Sequence, residues 1–316
     1  MLRTVIVTGG AGFIGSHIVD ALVERGFGVW VVDNLSTGKR SNVNTKAKFI
    51  RLDIRNPRLK RIFLKIKPLF VFHCAAQMDV KRSLREPHYD AEVNIIGSLN
   101  VIKCAADVGV KKFIFTSTGG AVYGDTKVIP TPETEPEMPI SPYGVAKLAV
   151  DKYLHQYWRV KGMPYVSLRF SNVYGPRQRA DGEAGVVAIF AGRMVRGLPC
   201  AINGSGKQTR DFVYVGDVVD AAMKAMQKPF IGVVNIATGK ESSVNQVYAH
   251  LSKLLDSQLK AQHSFAIKGE QMRSVLDWRK AEKALGWMPR VRLEEGLRRT
   301  VEWHYLNVKS KIQKSK

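Results

Sequence analysis

The run Thr4-Val5-Ile6-Val7-Thr8-Gly9-Gly10-Ala11-Gly12-Phe13-Ile14-Gly15-Ser16 constrains the fold more than any other stretch. An apolar, β-branched segment breaks into glycines spaced by three and resumes as an amphipathic helix. This reads as strand, tight turn and helix. Gly9, Gly12 and Gly15 let the backbone approach a pyrophosphate, whose charge meets the free N–H groups and positive dipole end of the helix. Glycine-rich turns are common, and an ordinary βαβ turn is the competing reading, so context decides. Here a second strand, Val29 to Val32, ends at Asp33. An acid about twenty residues after the turn is what the ribose hydroxyls of NAD require.

The chain continues in the same α/β rhythm. Asn34, Leu35, Ser36, Thr37 and Gly38 form a polar turn beside the adenosine end, and a third strand closes on Asp53-Ile54, with Asp53 placed for the adenine edge. A helix over about 57–66 leads into Leu69-Phe70-Val71-Phe72-His73, a continuous apolar run suited to a parallel strand buried on both faces. His73 reads as a packing histidine. The small residues Cys74-Ala75-Ala76 after it leave space in the crevice where such sheets bind ligands. A helix over about 88–108 carries Asn94, and the next strand, Lys111 to Thr116, runs into Thr116-Ser117-Thr118-Gly119-Gly120. Thr116 and Ser117 read as well as strand-end caps; Thr118 reads as functional.

A proline-rich loop from Val128 ends at Ser141-Pro142-Tyr143, where Ser141 is an N-cap and Pro142 suits the first helical position. Lys147 lies four residues after Tyr143, so both side chains share a helix face. A phenol with a pKa of about 10 is a poor base at neutral pH, and a neighbouring ammonium favours the phenolate. An aromatic and a lysine on a solvated face is the alternative; the dinucleotide turn and the hydroxyl-bearing strand end favour the chemical reading. A sixth strand, Val166 to Phe170, runs into Ser171-Asn172-Val173-Tyr174-Gly175-Pro176-Arg177. Beyond it, shorter helices are expected near 185–196, 216–228, 244–256, 279–285 and 293–306. Arg210 beside the turn Asn203-Gly204-Ser205-Gly206 can fork onto a diphosphate or pair with Asp211 or Asp217.

At 316 residues and 45% hydrophobic content, the chain accommodates a dinucleotide domain and a second lobe. The expected division is 1–172 for the Rossmann domain, with about 210–238 returning to it, 173–306 for the substrate lobe, and 307–316 as a basic tail. The first strand starts within a few residues of Met1 and no apolar run reaches about eighteen residues, so neither a signal peptide nor a membrane span is expected, and the cytoplasm is the default location. Cys74, Cys104 and Cys200 read as free thiols, and no histidine spacing calls for a metal. The net charge of +22 would attract polyanions. Its basic residues are dispersed without interleaved aromatics, so a solvated basic surface is expected, with a nucleic-acid-binding protein on a Rossmann scaffold as the non-enzymatic alternative.

TGGAGFIG at 8–15, Asp33, Tyr143-x-x-x-Lys147, the run Arg169 to Pro176, Arg210-Asp211, and the late Leu285-Gly286-Trp287-x-Pro289 together resemble the extended short-chain dehydrogenase/reductase superfamily over about residues 1–306. Within its NAD-dependent epimerases and dehydratases, the chain looks most like the UDP-glucose 4-epimerases. The resemblance implies a doubly wound parallel sheet with a smaller mixed α/β lobe, a bound NAD, and a UDP-sugar substrate oxidised at C4 and reduced again from its other face. It implies Tyr143 as base, Lys147 as its partner and nicotinamide-ribose ligand, and Thr118 on the same sugar oxygen. Phe13, Ile14, Ile54, Ala75, Ala76, Gln77, Asn94 and Phe170 join the implied cofactor site, and Asn172, Val187, Arg210 and Ser274 the implied substrate site. Thr118-Gly119-Gly120 carries no carboxylates where 4,6-dehydratases have Asp-Glu, which leaves simple oxidation and return, with a 4-keto reductase as the other enzymatic possibility. The family's Arg-x-Gly-Asp reads Ile267-Lys268-Gly269-Glu270, with Lys268 or Arg273 as substitute charges. Ser274 replaces a bulky tyrosine of some members, which implies room for an N-acetyl group. Family members commonly dimerise through helices corresponding to 90–108 and 143–161.

Overall fold

The computed structural model describes residues 3–180, 185–266 and 271–314. From the N-terminus, β1 (Thr4–Thr8), α1 (Phe13–Glu24), β2 (Gly28–Asp33), β3 (Lys48–Arg51), α2 (Leu59–Ile66) and β4 (Phe70–His73) alternate as the apolar runs predict. Next come α3 (Val80–Arg85), α4 (Pro87–Ala91), a π turn (Glu92–Gly97), α5 (Ser98–Asp107), β5 (Lys112–Thr118), α6 (Gly119–Val122), α7 (Pro142–Lys161) and β6 (Tyr165–Phe170). The second half holds β7 (Asn172–Tyr174), α8 (Val186–Met194), β8 (Ala201–Asn203), β9 (Thr209–Tyr214), α9 (Val215–Gln227) and β10 (Gly232–Ile236). It closes with β11 (Glu241–Ser243), α10 (Val244–Leu254), β12 (Gln262–Ser264), β13 (Arg273–Ser274), α11 (Arg279–Leu285) and α12 (Leu293–Lys314).

The main sheet is parallel throughout, in the order β10-β6-β5-β4-β1-β2-β3. The architecture is α/β and Rossmann-type. The strand order reverses at β1 and β4, so the carboxyl ends of these two strands splay apart and open the crevice in which such sheets bind ligands. Apolar cores cover both faces: Ile18, Leu22, Val218, Ala222 and Trp287 lie on one, and Leu59, Phe63, Val101, Val150 and Leu154 on the other. A third core, around Phe190, Tyr174, Phe212 and Leu297, belongs to the smaller part, where β9 pairs with β7, β11 and β13, and β8 with β12.

Several boundaries differ from expectation for identifiable reasons. The helix expected over 88–108 is broken by the π turn, whose looser winding admits a hydrogen bond from the Asn94 amide to the Gln77 carbonyl at 2.9 Å. β5 runs on to Thr118, because Ser117 and Thr118 continue the ladder with Arg169 and Phe170. The tail from 307 continues α12 as helix to Lys314. Its alternating Lys-Ser composition carries no glycine or proline to stop it. Among the described residues no helix is long and apolar enough to cross a membrane.

Candidate active site

A cavity of about 450 Å³ opens above the β1–β4 switch point and reaches the first turn of α8. Gly9 adopts φ +69°, and a Cβ there would lie 2.5 Å from the Ala75 amide nitrogen; one on Gly15 would lie 2.2 Å from the Gly9 carbonyl oxygen. The turn therefore packs directly on the end of β4 and against its own helix. No side chain caps α1 at Gly12, so the first N–H groups of that helix are offered to the cavity.

Gly9, Gly12, Phe13, Ile14 and Gly15 form one wall. Asp33, Asn34, Thr37, Asp53 and Ile54 line its outer end, and Ala75, Ala76 and Phe170 its inner end. Asp33 is buried and already accepts from the Ala11 and Leu35 amides at 3.0 and 2.7 Å, one on each oxygen, which fixes its plane and leaves a lone pair on each. Hydrogen bonds from the Arg55 guanidinium hold the Asp53 carboxyl down at about 2, so it is an anion throughout the working range.

At the far end Thr118, Tyr143 and Lys147 line one surface, with Asn172 and Val187 facing them from the second half of the chain. The local sequence explains the placement. Ser141 accepts the Gly144 amide at 3.1 Å and starts α7, so Tyr143 is in its first turn; Lys147, one turn on, is buried and donates to the Thr116 carbonyl at 2.9 Å. Its ammonium lies 5.8 Å from the centre of the Tyr143 ring and 4.6 Å from that of Phe115. Thr118 caps α6, accepting from the Ala121 amide at 3.4 Å, which leaves its hydroxyl hydrogen free to donate. Burial pulls the Lys147 amine down to about 8, against the opposing fields of Cys74, Asp151 and Asp90. Burial pushes the Tyr143 phenol well above its ordinary value, and the Asp90 carboxylate acts in the same direction.

Behind this surface Arg169 is fully buried, donating to Asp151 at 3.0 Å, to the Tyr123 hydroxyl at 2.9 Å and to Glu137 at 2.8 Å. This network ties β6 to α7 and to the loop before it, and so fixes the helix that carries Tyr143 and Lys147.

Five residues expected at the site stand beside the cavity wall and not on it. Gly38 is pressed onto Ala11, where an added Cβ would lie 2.9 Å from backbone. Gln77 and Asn94 spend their amides on each other and on Asp90. Arg210 donates to the Thr209 carbonyl at 2.8 Å, and Ser274 is buried in β13 with its hydroxyl 3.1 Å from where a Cβ on Gly120 would sit. Ile267, Lys268, Gly269 and Glu270 lie outside the described residues. Sequence reading missed Ser117, Ser171, Tyr174, Gln178 and Phe212, which also line the cavity. Of these, Ser117 carried a signal as part of a hydroxyl run, and Ser171 and Tyr174 as part of the run Arg169 to Pro176. Among the described residues no group of three His, Cys, Asp or Glu could hold a metal ion.

Comparison with known proteins agrees with this geometry. The model of the NAD dependent epimerase/dehydratase family matches residues 5–237. The UDP-glucose 4-epimerase of Mycolicibacterium smegmatis is 40% identical over 308 residues, covering 96% of this chain and 98% of that protein. The crystal structure of UDP-glucose 4-epimerase from Thermotoga maritima with UDP-glucose superposes with a TM-score of 0.95 at 50% identity, covering 96% of this chain and 99% of that one. The Thermus thermophilus UDP-glucose 4-epimerase in complex with NAD gives 0.91 at 43% identity, over 95% and 98% of the two chains. The match extends through the dinucleotide turn, the Tyr143–Lys147 helix and the second half of the chain, and on it the chain belongs to the NAD dependent epimerase/dehydratase family.

Proposed function

We propose that this protein is a nucleotide-sugar 4-epimerase that interconverts UDP-glucose and UDP-galactose with NAD as its cofactor. The observation that carries the reading is the convergence of Thr118, Tyr143 and Lys147 on one surface of a cavity that the glycine turn also walls. The residues fit NAD: a side chain at Gly9 or Gly15 would strike backbone, the N-terminus of α1 is open to a pyrophosphate, and Asp33 is held ready for a ribose. Bound there, NAD supplies the oxidising equivalent for C4 and returns it as the reducing one.

The chain's own residues handle the proton and the positioning. Tyr143 takes the proton of the sugar 4-hydroxyl as that carbon is oxidised, and gives it back after the 4-keto sugar has turned over. Lys147 keeps a positive charge beside the phenol, which favours the phenolate against the burial that opposes it. Thr118 donates to the same oxygen. Asn172 and Val187, on the cavity wall, hold the nucleotide diphosphate, so the sugar turns while its handle stays fixed. Asp33 disfavours a 2′-phosphate, which supports NAD over NADP.

Two finer assignments belong to the same proposal. The short Ser274, where some members of the family carry a bulky tyrosine, supports acceptance of the N-acetylhexosamine forms. Exposed Ile96, Val145, Tyr153 and Val160 on the π turn and α7 support a homodimer through these helices. The test is to incubate the protein with UDP-glucose, UDP-galactose and their N-acetyl forms and follow the anomeric NMR signals. Epimerisation should fall by about 10²–10⁴ in Tyr143→Phe. Near-wild-type turnover by that variant refutes the mechanism, and undetectable turnover of UDP-N-acetylglucosamine beside brisk turnover of UDP-glucose rejects the wider specificity. Light scattering that returns a monomer rejects the dimer.

A further inference from the structure

Asp90, on the short helix α4, is 1% exposed and stands where α4 packs against α7. It lines the seam between them with Ala91, Pro142, Val145 and Ala146. Its Oδ1 accepts from the Gln77 side-chain amide and from the Asn94 side-chain amide, each at 2.9 Å. Its Oδ2 is fully buried and hydrogen-bonds to no described residue. A buried carboxylate with one oxygen unpartnered is costly to keep, and calls for a compensating charge.

The groups on the elements around it identify that charge. Asp79, Arg82 and Glu86 on and beside α3 are engaged locally, Arg82 with Glu86 at 2.9 Å and Asp79 as the N-cap of α3. Glu92 of the π turn is on the surface with Arg55, and Lys81, Arg85 and His88 are exposed on or beside α3 and α4. Across the seam, α7 contributes Tyr143, Lys147 and Asp151, and Asp151 is neutralised by Arg169 at 2.9 Å. Burial pushes the Asp90 carboxyl up, against its bonds from Gln77 and Asn94 and the charge of Lys147, the remaining buried cation on these elements; Asp90 in turn joins Cys74 and Asp151 in opposing the burial that lowers Lys147.

We infer that Asp90 is a positioning residue for the reaction: a buried carboxylate on the seam with the helix that carries Tyr143 and Lys147, which clamps Gln77 and Asn94, and with them the Ala75–Ala76 wall, and sets its negative charge against that helix. It acts through Lys147 and touches neither substrate nor cofactor. The inference rests on the epimerase reading for its catalytic meaning, and its electrostatic content stands without turnover.

The test uses the full chain with Asp90→Asn, which keeps the acceptor for both amides, and Asp90→Glu, which keeps the charge. The 13C shift of Lys147 Cε, assigned by its loss in Lys147→Met, reports the lysine titration. In Asp90→Asn its midpoint should fall by about one pH unit, and both limbs of the kcat profile for UDP-galactose should move the same way, because the phenol and the ammonium each lose a nearby anion. Asp90→Glu should leave the lysine midpoint near that of the wild type. An unchanged lysine midpoint in a folded Asp90→Asn overturns the inference, whatever happens to the rate. Absent turnover by the wild type overturns the epimerase reading and leaves the lysine measurement to decide this one.

Discussion

His73 offers a quantitative test of how the switch point is built. Its Nδ1 lies 2.6 Å from the Thr8 hydroxyl and its Nε2 2.8 Å from the Ser98 hydroxyl. Ser98 donates its own hydrogen to the Asn94 carbonyl at 2.6 Å, so it accepts from His73 Nε2–H, and in the neutral ring Thr8 then donates to Nδ1. A neutral imidazole satisfies the whole chain β1–β4–α5, and burial favours that form. Burial pulls this group down to about 3 from the usual 6.5, and the Lys147 charge adds to the effect. A folded-state value below the unfolded one means that stability is fully present above pH 6.5 and is lost as pH falls toward 3, because only the unfolded chain takes up the proton there. At about 1.4 kcal/mol per unit, the loss between pH 6.5 and 4.5 is about 2.7 kcal/mol. His73→Gln removes the titration while keeping a donor and an acceptor. Urea unfolding of both proteins at a series of pH values should show the variant less stable at pH 8, by about 1–3 kcal/mol for lost packing on Phe115 and Phe113, with the gap closing by about 2.7 kcal/mol at pH 4.5. Parallel curves for the two proteins from pH 8 to 4.5 would refute the assignment of a neutral, fully bonded imidazole.

Three further outcomes are expected. Gly15→Ala places a Cβ 2.2 Å from the Gly9 carbonyl oxygen, a backbone atom with little freedom, so the turn must open; NAD affinity, read by fluorescence titration, should drop at least tenfold. Arg169→Met strands Asp151 in the interior, and denaturant unfolding should show a loss of about 3–5 kcal/mol together with weakened epimerisation as α7 loosens. Lys112, buried at the start of β5, donates to the Ala225 and Lys228 carbonyls at the end of α9; Lys112→Met should lower stability by about 2 kcal/mol, seen as a fall of a few degrees in Tm, with kcat unchanged.

The parts legible in the sequence are those set by local rules. Glycine spacing, β-branched runs ending in small or acidic residues, and Ser141-Pro142 before Tyr143 placed the dinucleotide turn and the Tyr143–Lys147 helix, because caps, turns and helical spacing act within a few residues. The less legible parts are settled by distant partners. Asn94 reads as a helix residue, and only the Gln77 carbonyl, seventeen positions away, reveals why the helix loosens into a π turn there. Asp90 looks like any acid on a solvated helix until α7 is folded over it. The short strands β7, β8, β11, β12 and β13 span two or three residues each, too few for alternation to register, and they are set by pairing: β7, β11 and β13 with β9, and β8 and β12 with each other.

The pairing of β10 with β6 has a consequence for how the molecule forms. All five of its ladder positions lie along Val166–Phe170, yet β10 is reached only after β7, β8 and β9 have been laid down elsewhere. During synthesis the growing Rossmann sheet therefore holds β6 as an open edge until residue 236 has emerged, and an exposed edge of this composition is a template for pairing with other chains. The dinucleotide half cannot finish before most of the other half exists. Ordering at the two ends of the cavity is thus linked in time, and a truncation that spares every residue of the glycine turn and the Tyr143 helix would still leave the sheet that carries them unfinished.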